Sequence, residues 1–292
     1  MINNKKPSKD LKKILFLDID GVLTSTPKYI PNTSPILTSK SIRAISEAQN
    51  AGFITVFITA RSVRELRLKN GFEDTLKKNN LLEKSLIYGS LGLDQATYTN
   101  EFKIENGSIV YKDGSAVLVR KPSMKRETFA NLDQFLLYKM LLGREIKQQL
   151  KYAGFDIKKA NNEEIINDSR IGFELEKNNS EVRKKLVLKA QKICDEQYEI
   201  FQNTKKFGSP VKLVAFDIET GISINPIMLG KHFGVLRALN ELGVNPKDKI
   251  IAYAMGDSNS DSKMSIRNDI KFIKIIDNKH FLEEVEKVIK EN

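Results

Sequence analysis

The sequence predicts an α/β fold, a doubly wound parallel sheet with an inserted α+β cap domain. Three observations lead there. Short unbroken apolar runs, such as Ile14–Leu17, Phe53–Ile58 and Ile250–Met255, lack the alternation of half-exposed strands and read as strands buried on both faces. Helical-period segments separate them, as right-handed crossovers of a parallel sheet require. This rhythm stops near Gly89 and resumes only near residue 222, with hairpin signals in between.

In chain order, Met1 to Lys13 is polar and basic, and residues 1–12 are expected to be a flexible tail without a secretory signal. Ile14–Leu17 is the first strand, and the proline-bearing stretch Ser25–Pro35 is a loop. Thr38 or Ser39 offers an N-cap to a helix with Ile42, Ile45 and Ala48 on one face, ending near Gly52. Phe53–Thr59 is the second strand. A helix carrying Val63, Leu66 and Leu68 follows as far as Gly71, then a helical piece over Leu76–Leu82 and a strand at Leu86–Tyr88.

Beyond Gly89, Phe102–Ile104 and Ser108–Tyr111 flank Asn106-Gly107, a strong hairpin signal. A second turn at Lys112–Gly114 leads into Ala116–Val119. Helices are expected around Asn131–Tyr152 and Val182–Ile200, and strands at Ile171–Leu175, Val211–Phe216 and Ile222–Ile224. The core then closes with a Val235/Leu236/Leu239/Leu242 helix, strands at Ile250–Met255 and Phe272–Ile276, and a final helix bearing Phe281, Leu282, Val285, Val288 and Ile289. The expected domains are 13–89 with 222–292 as the catalytic core, and 90–221 as the cap.

Composition bounds the function. At 292 residues, 40% hydrophobic and 29% charged, the chain can bury a sizeable core. No run approaches a membrane span, so a cytoplasmic protein without a membrane partner is expected. Net charge is +11, but the basic residues are scattered instead of forming an aromatic-interleaved stripe, which argues against a nucleic-acid partner and fits an anionic small substrate. Nothing in the sequence sets an oligomeric state. The lone Cys194 has no disulfide partner and reads as a packed thiol, not a nucleophile.

Chemistry gathers at the ends of three strands. The first runs into Asp18-Ile19-Asp20-Gly21, the second into Thr59-Ala60-Arg61, and the fourth into Gly256-Asp257 with Asp261. Lys231 opens a helix in between. In an open α/β sheet these strand ends share the ligand-binding edge. Asp18, Asp20, Asp257 and Asp261 are hard oxygen donors without accompanying His or Cys, which favours Mg2+. Lys231, the Thr59 hydroxyl and backbone at Gly21 and Ala60 supply positive charge and donors for a phosphoryl group. Asp18 would attack phosphorus, and Asp20 would protonate the leaving oxygen and then deprotonate water. Arg61 is a possible substrate contact or a structural arginine.

These residues resemble the four motifs of the haloacid dehalogenase superfamily of phosphotransferases: Asp18–Thr24, Thr59, Lys231, and Gly256-Asp257 with Asp261. Ile224-Asn225-Pro226 before Lys231 and Leu242-Gly243-Val244 after it are similar to the pattern of the branch with a large cap, the type IIB, Cof-like and sucrose-phosphatase-like branch. The resemblance implies magnesium dependence, an aspartyl-phosphate intermediate and a cap that closes over the substrate. An aspartate two residues after the nucleophile points to phosphatases and phosphomutases. One departure stands out: Ser260 occupies the place of an asparagine that supports the metal. Tyr88–Leu93 is similar to the Gly-Ser-His-Gly segment of trehalose-phosphate phosphatases, without its histidine. The resulting expectation is a phosphatase of a small phosphorylated metabolite, in particular a sugar phosphate. A phosphomutase and a catalytically weak phospholigand-binding protein are the alternatives.

Ala215-Phe216-Asp217-Ile218-Glu219 imitates the first motif, but Thr220-Gly221 and an extended run after it indicate a hairpin. His232 and His280 open helices with no ligating partner nearby in sequence.

Overall fold

The apolar runs do become the central strands. The computed structural model describes residues 11–24, 33–92, 94–102, 104–105, 108–109, 111–112, 115–116, 118–126, 143, 145–157, 166–167, 170–176, 179–204, 212–218, 221–226 and 230–292. The chain forms two units, Met1–Tyr88 with Gly234–Asn292, and Gly89–Phe233. The first opens with β1 (Lys12–Leu17), α1 (Ser39–Asn50), β2 (Phe53–Ile58), α2 (Val63–Leu66), α3 (Phe72–Lys78) and β3 (Ser85–Gly89). The second holds β4 (Asp94–Phe102), β5 (Ile104–Glu105), β6 (Ser108–Ile109), β7 (Tyr111–Lys112), β8 (Ser115–Ala116) and β9 (Leu118–Arg126). Helix α4 (145–152), β10 (Ile166–Asn167), β11 (Arg170–Glu174), α5 (Ser180–Thr204), β12 (Leu213–Ile218) and β13 (Gly221–Pro226) follow. Helix α6 (Lys231–Glu241), whose residues from Gly234 belong to the first unit, leads to β14 (Ile250–Gly256), β15 (Ile270–Lys274) and α7 (Asn278–Glu291).

In the first unit the strands run parallel in the order β15-β14-β1-β2-β3. The chain builds outward from β1 through β2 to β3, then returns to the other side of β1 for β14 and β15. That reversal opens a crevice beyond the ends of β1 and β14, where ligands bind in such sheets. Ile14, Leu15, Phe16 and Leu17 are buried on both faces of the sheet, as are Val56, Phe57 and Ile58. Helix α1 starts at its Thr38 cap, whose hydroxyl accepts from Ser41 N, and buries Ala44, Ile45 and Ala48. Helix α7 buries Phe281, Val285 and Val288 behind an Asp277 cap.

Two helical expectations shift. The helix expected from Val63 to Gly71 is one turn long, closed at its start by a reciprocal Ser62–Glu65 capping box. Asn70 then takes a left-handed φ of 60°, and α3 begins anew at Phe72. It stops at Lys78, because Asn80 is again left-handed, so the helical piece expected over Leu76–Leu82 starts and ends earlier.

The inserted unit contains two strand systems. In one, β4 and β9 pair antiparallel from Asp94↔Arg126 to Phe102↔Leu118, and the short pairs β5–β6 and β7–β8 lie between them in sequence. The β5–β6 pair flanks Asn106-Gly107, as expected of a hairpin. In the other, β10-β11-β13-β12 forms an antiparallel sheet. Its core joins Ile171, Phe173, Ile222 and Ile224 to Ile146 and Leu150 of α4 and Leu186, Ala190 and Ile193 of α5. Of the helix expected around Asn131–Tyr152, only its last part lies within the described residues. The strand Ile222–Ile224 pairs with β12, as the hairpin expected at Asp217–Gly221 requires, and also with β11, and the second unit runs on to Phe233, past the expected boundary at 222. Its buried polar residues Ser223 and Asn225 bond to each other, the Ser223 hydroxyl donating to Asn225 Oδ1 at 3.0 Å.

Candidate active site

Level strand ends assemble the site. Leu17 lies beside Met255 of β14 on one side and Phe57 of β2 on the other, so Asp18, just past the end of β1, is level with Gly256 and Ile58, the last residues of β14 and β2. The Asp18 backbone N donates to Met255 O at 3.0 Å, holding the strand to its last residue. Asp18 is 6% exposed and Asp261 fully buried. Carboxylate oxygens of Asp18, Asp257 and Asp261 lie within 4.8 Å of one another.

Backbone geometry permits this approach. Gly21 has φ of +79°, a left-handed value that side chains disfavour, and a Cβ there would lie 2.0 Å from Asp257 Oδ2. Its N–H donates to Thr24 Oγ1, which closes the turn after the aspartates. Asn278, at the start of α7, donates from Nδ2 to the carbonyls of Val22 and Thr24 and pins that turn from outside. Nothing in the local sequence around Asn278 singles it out.

Asp261 is oriented by Ser258, whose N and Oγ both donate to Asp261 Oδ2 at 2.8 Å. The Ser258 hydroxyl also meets the Ser260 hydroxyl at 2.7 Å. The serine in the unexpected position is thus linked to Asp261 through one intermediate hydroxyl. Sequence reasoning passed over Ser258, although a serine directly after Gly256-Asp257 was a visible signal.

Asp20 stands apart from the three clustered carboxylates. Arg61 Nε donates to its Oδ1 and Oδ2 at 3.1 and 2.8 Å, and Nη2 donates to Oδ1 at 2.7 Å. Arg61 is 3% exposed, and its Nη1 donates to Thr33 O at 2.7 Å. Arg61, expected as a possible substrate contact or a structural arginine, thus holds both Asp20 and the chain at Thr33. Asp20, expected among the metal ligands as well as in catalysis, has its carboxylate in this ion pair. Thr59 is buried, its Oγ1 accepts from Arg61 N at 3.1 Å, and its own N donates to Tyr88 O. Ala60 lies in the turn just beyond β2. Lys231 is the first residue of α6.

The bland expectations can be placed as well. Asp217 sits in the β12–β13 hairpin, exposed and paired with Arg183 at 2.7 Å. Cys194 is buried in the inserted unit, and burial pushes its thiol up to about 12, an inert group near neutral pH. His280 Nδ1 accepts from Ile276 N, a local contact at the start of α7. Among the described residues, no helix is long and apolar enough to cross a membrane.

Three carboxylates this close repel one another, and a cation between them removes that repulsion. The donors are all hard oxygens, so the cluster fits a divalent ion such as Mg2+ better than a soft metal.

Neither a family model nor a curated protein matches the sequence. Solved structures do match the fold. Trehalose-6-phosphate phosphatase of Aspergillus fumigatus superposes with a TM-score of 0.51 at 9% identity, over 96% of this chain and 93% of that one. An N-terminally truncated IMP-nucleotidase of Plasmodium falciparum gives 0.57 at 12% identity, over 97% and 71%. A Thermoplasma acidophilum protein gives 0.53 at 14%, over 96% and 99%. The chain therefore has the fold of these proteins, the α/β fold that its resemblance to the haloacid dehalogenase superfamily implied.

Proposed function

We propose that the protein is a Mg2+-dependent phosphatase of a small phosphate monoester and works through a phosphorylated Asp18. The observation that carries this reading is the carboxylate trio of buried Asp18 and Asp261 with partly buried Asp257 beyond β1, with a further carboxylate, Asp20, two residues after Asp18.

An Asp18 carboxylate oxygen attacks phosphorus, forming an acyl-phosphate as the bond to the leaving oxygen breaks. That oxygen takes a proton from the Asp20 carboxyl group. Water then attacks the acyl-phosphate, gives a proton to the Asp20 carboxylate, and releases inorganic phosphate and the free Asp18 carboxylate. Asp18, Asp257 and Asp261 would hold Mg2+, which when bound offsets the negative charge of the ester. Thr59, the backbone at Gly21 and Ala60, and the Lys231 ammonium are assigned to the phosphoryl oxygens.

Substrate choice is assigned to the inserted unit. The fold neighbours named for trehalose 6-phosphate and IMP handle phosphates carried on a sugar hydroxyl, which supports a sugar-phosphate ester as the substrate class here. The test is release of inorganic phosphate from 4-nitrophenyl phosphate and from a panel of sugar phosphates, with Mg2+ and after chelation. Chelator-sensitive release that Asp18→Asn abolishes supports the proposal. Transfer of the group to a second sugar hydroxyl, without free phosphate, would replace it with a phosphomutase. An unchanged rate in Asp18→Asn would remove Asp18 as nucleophile.

A further inference from the structure

We infer that Arg61 is a positioning residue that acts through Asp20, aiming the proton-transfer group, and does not act by contacting the substrate. The inference rests on the phosphatase reading above and assigns a role that this reading leaves open.

Two opposed features define the pair. Arg61 is almost fully buried, whereas the Asp20 side chain keeps 20% of its surface exposed. The guanidinium fork grips both carboxylate oxygens from the protein side, with three contacts between 2.7 and 3.1 Å. A bidentate fork fixes the plane of a carboxylate as well as its place, which a lysine ammonium cannot do. Each Asp20 oxygen still has lone-pair capacity beyond its Arg61 bonds.

The fork is itself held on three sides. Its own backbone N donates to Thr59 Oγ1. The next residue, Ser62, is locked by reciprocal bonds with Glu65 at the start of α2. Its remaining arm, Nη1, is tied to Thr33 O, on the chain that leads into α1. Arg61 therefore connects the end of β2 to the turn after β1 by a rigid side chain. Proton transfer demands that alignment, because a donor displaced by about 1 Å can lose about 10²-fold in rate. A guanidinium with all three arms turned to protein is poorly arranged to take up a substrate phosphate as well.

The role makes a prediction that a substrate contact or a purely structural arginine does not. Help from an acid matters when the leaving oxygen is basic and little when it departs readily as an anion. Phenyl phosphate and 4-nitrophenyl phosphate are alike in size and differ mainly in this respect. For Arg61→Met, kcat/KM, which covers the steps up to the phosphorylated enzyme, is expected to fall about 10²-fold with phenyl phosphate and no more than about threefold with 4-nitrophenyl phosphate. Asp20→Asn is expected to show the same contrast. The double variant Arg61→Met/Asp20→Asn is expected to be no slower on phenyl phosphate than Asp20→Asn alone, because the fork then has nothing left to aim. Thermal unfolding of each variant verifies folding, and Arg61→Lys, which keeps the charge without the fork, carries the same comparison should Arg61→Met not fold. Equal losses on the two esters, or losses that multiply in the double variant, would overturn the inference while leaving the phosphatase reading intact. A wild-type protein that hydrolyses neither ester would overturn both.

Discussion

Two segments of this chain look alike in sequence and meet different fates. Phe16-Leu17-Asp18-Ile19-Asp20-Gly21 and Ala215-Phe216-Asp217-Ile218-Glu219 each run an apolar stretch into a carboxylate, an isoleucine and another acid. Asp18 ends a central parallel strand and is gathered with two further carboxylates. Asp217 lies in an antiparallel hairpin, where Asp217↔Ile222 and Ile218↔Gly221 are paired and the exposed carboxylate pairs with a partly buried Arg183. The acid itself decides little. A parallel strand must end where its neighbours end, so distant segments deliver their side chains to one edge, whereas a hairpin turns straight back on its own partner.

The largest test of this contrast removes one carboxylate from each segment. Asp18→Asn is expected to lower phosphate release about 10⁴-fold or more, since the attacking oxygen is lost. Asp217→Asn is expected to stay within about twofold, as surface substitutions usually do. Steady-state rates on 4-nitrophenyl phosphate decide it, and equal losses in the two variants would refute the distinction.

The glycines that follow give the next effect. Gly21→Ala places a methyl 2.0 Å from Asp257 Oδ2 at a left-handed φ, so the methyl and that carboxylate cannot both keep their places. Activity is expected to fall about 10²-fold, with weaker Mg2+ dependence. At Gly221 a Cβ would lie 1.9 Å from Phe173 O, a backbone atom of β11 in the same antiparallel sheet. Gly221→Ala is expected to cost about 2–3 kcal/mol in denaturant unfolding, a packing penalty in the inserted unit's sheet. One glycine serves the site and the other the sheet.

The same contrast explains what could be read in the sequence. Ile14–Leu17, Phe53–Ile58 and Ile250–Met255 were legible because a strand covered on both faces has no polar alternation to hide it. Asp18, Asp257 and Asp261 were legible because each follows such a strand at short distance. Ile222–Ile224 was legible as the return arm of a hairpin from Thr220-Gly221, but the pairing with β11 was not, since an apolar run carries no mark of its second partner. Helix ends near Asn70 and Asn80 depend on single left-handed residues, and asparagine permits that conformation without demanding it. The grip of Arg61 on Asp20 joins residues 41 apart, and Ser258 acts through a hydroxyl whose direction only the folded turn defines. Pairings across the fold carry no local sequence period, so they could not be read in advance.

The serines after β14 test how Asp261 differs from Asp217 in its support. Ser258→Ala removes one of the two donors that Ser258 supplies to Asp261 Oδ2, and the Mg2+ affinity is expected to fall about 10-fold, the lower end for a residue behind a metal ligand. Ser260→Ala touches Asp261 only through Ser258, so a change below about threefold is expected. Mg2+ titration by calorimetry separates them. A larger effect at Ser260 would mean that this residue assumes the supporting role directly.

The smallest effect concerns the partner of Asp217. Arg183 donates to it at 2.7 Å, but the Asp217 side chain is 44% exposed, and pairs open to water contribute about 0.2–1 kcal/mol because water competes and two side chains must be ordered. Arg183→Ala is expected to lower stability by that amount in dilute buffer, and by less in 1 M salt, where screening acts within about 3 Å. Phosphate release should be unchanged. The same distance separates Arg61 Nη2 from Asp20 Oδ1, yet that guanidinium is buried, so salt should leave the rate contrast between Arg61→Met and wild type in place. Equal salt sensitivity in the two variants would mean that burial does not separate the pairs, and the distinction between the two segments would lose its electrostatic half.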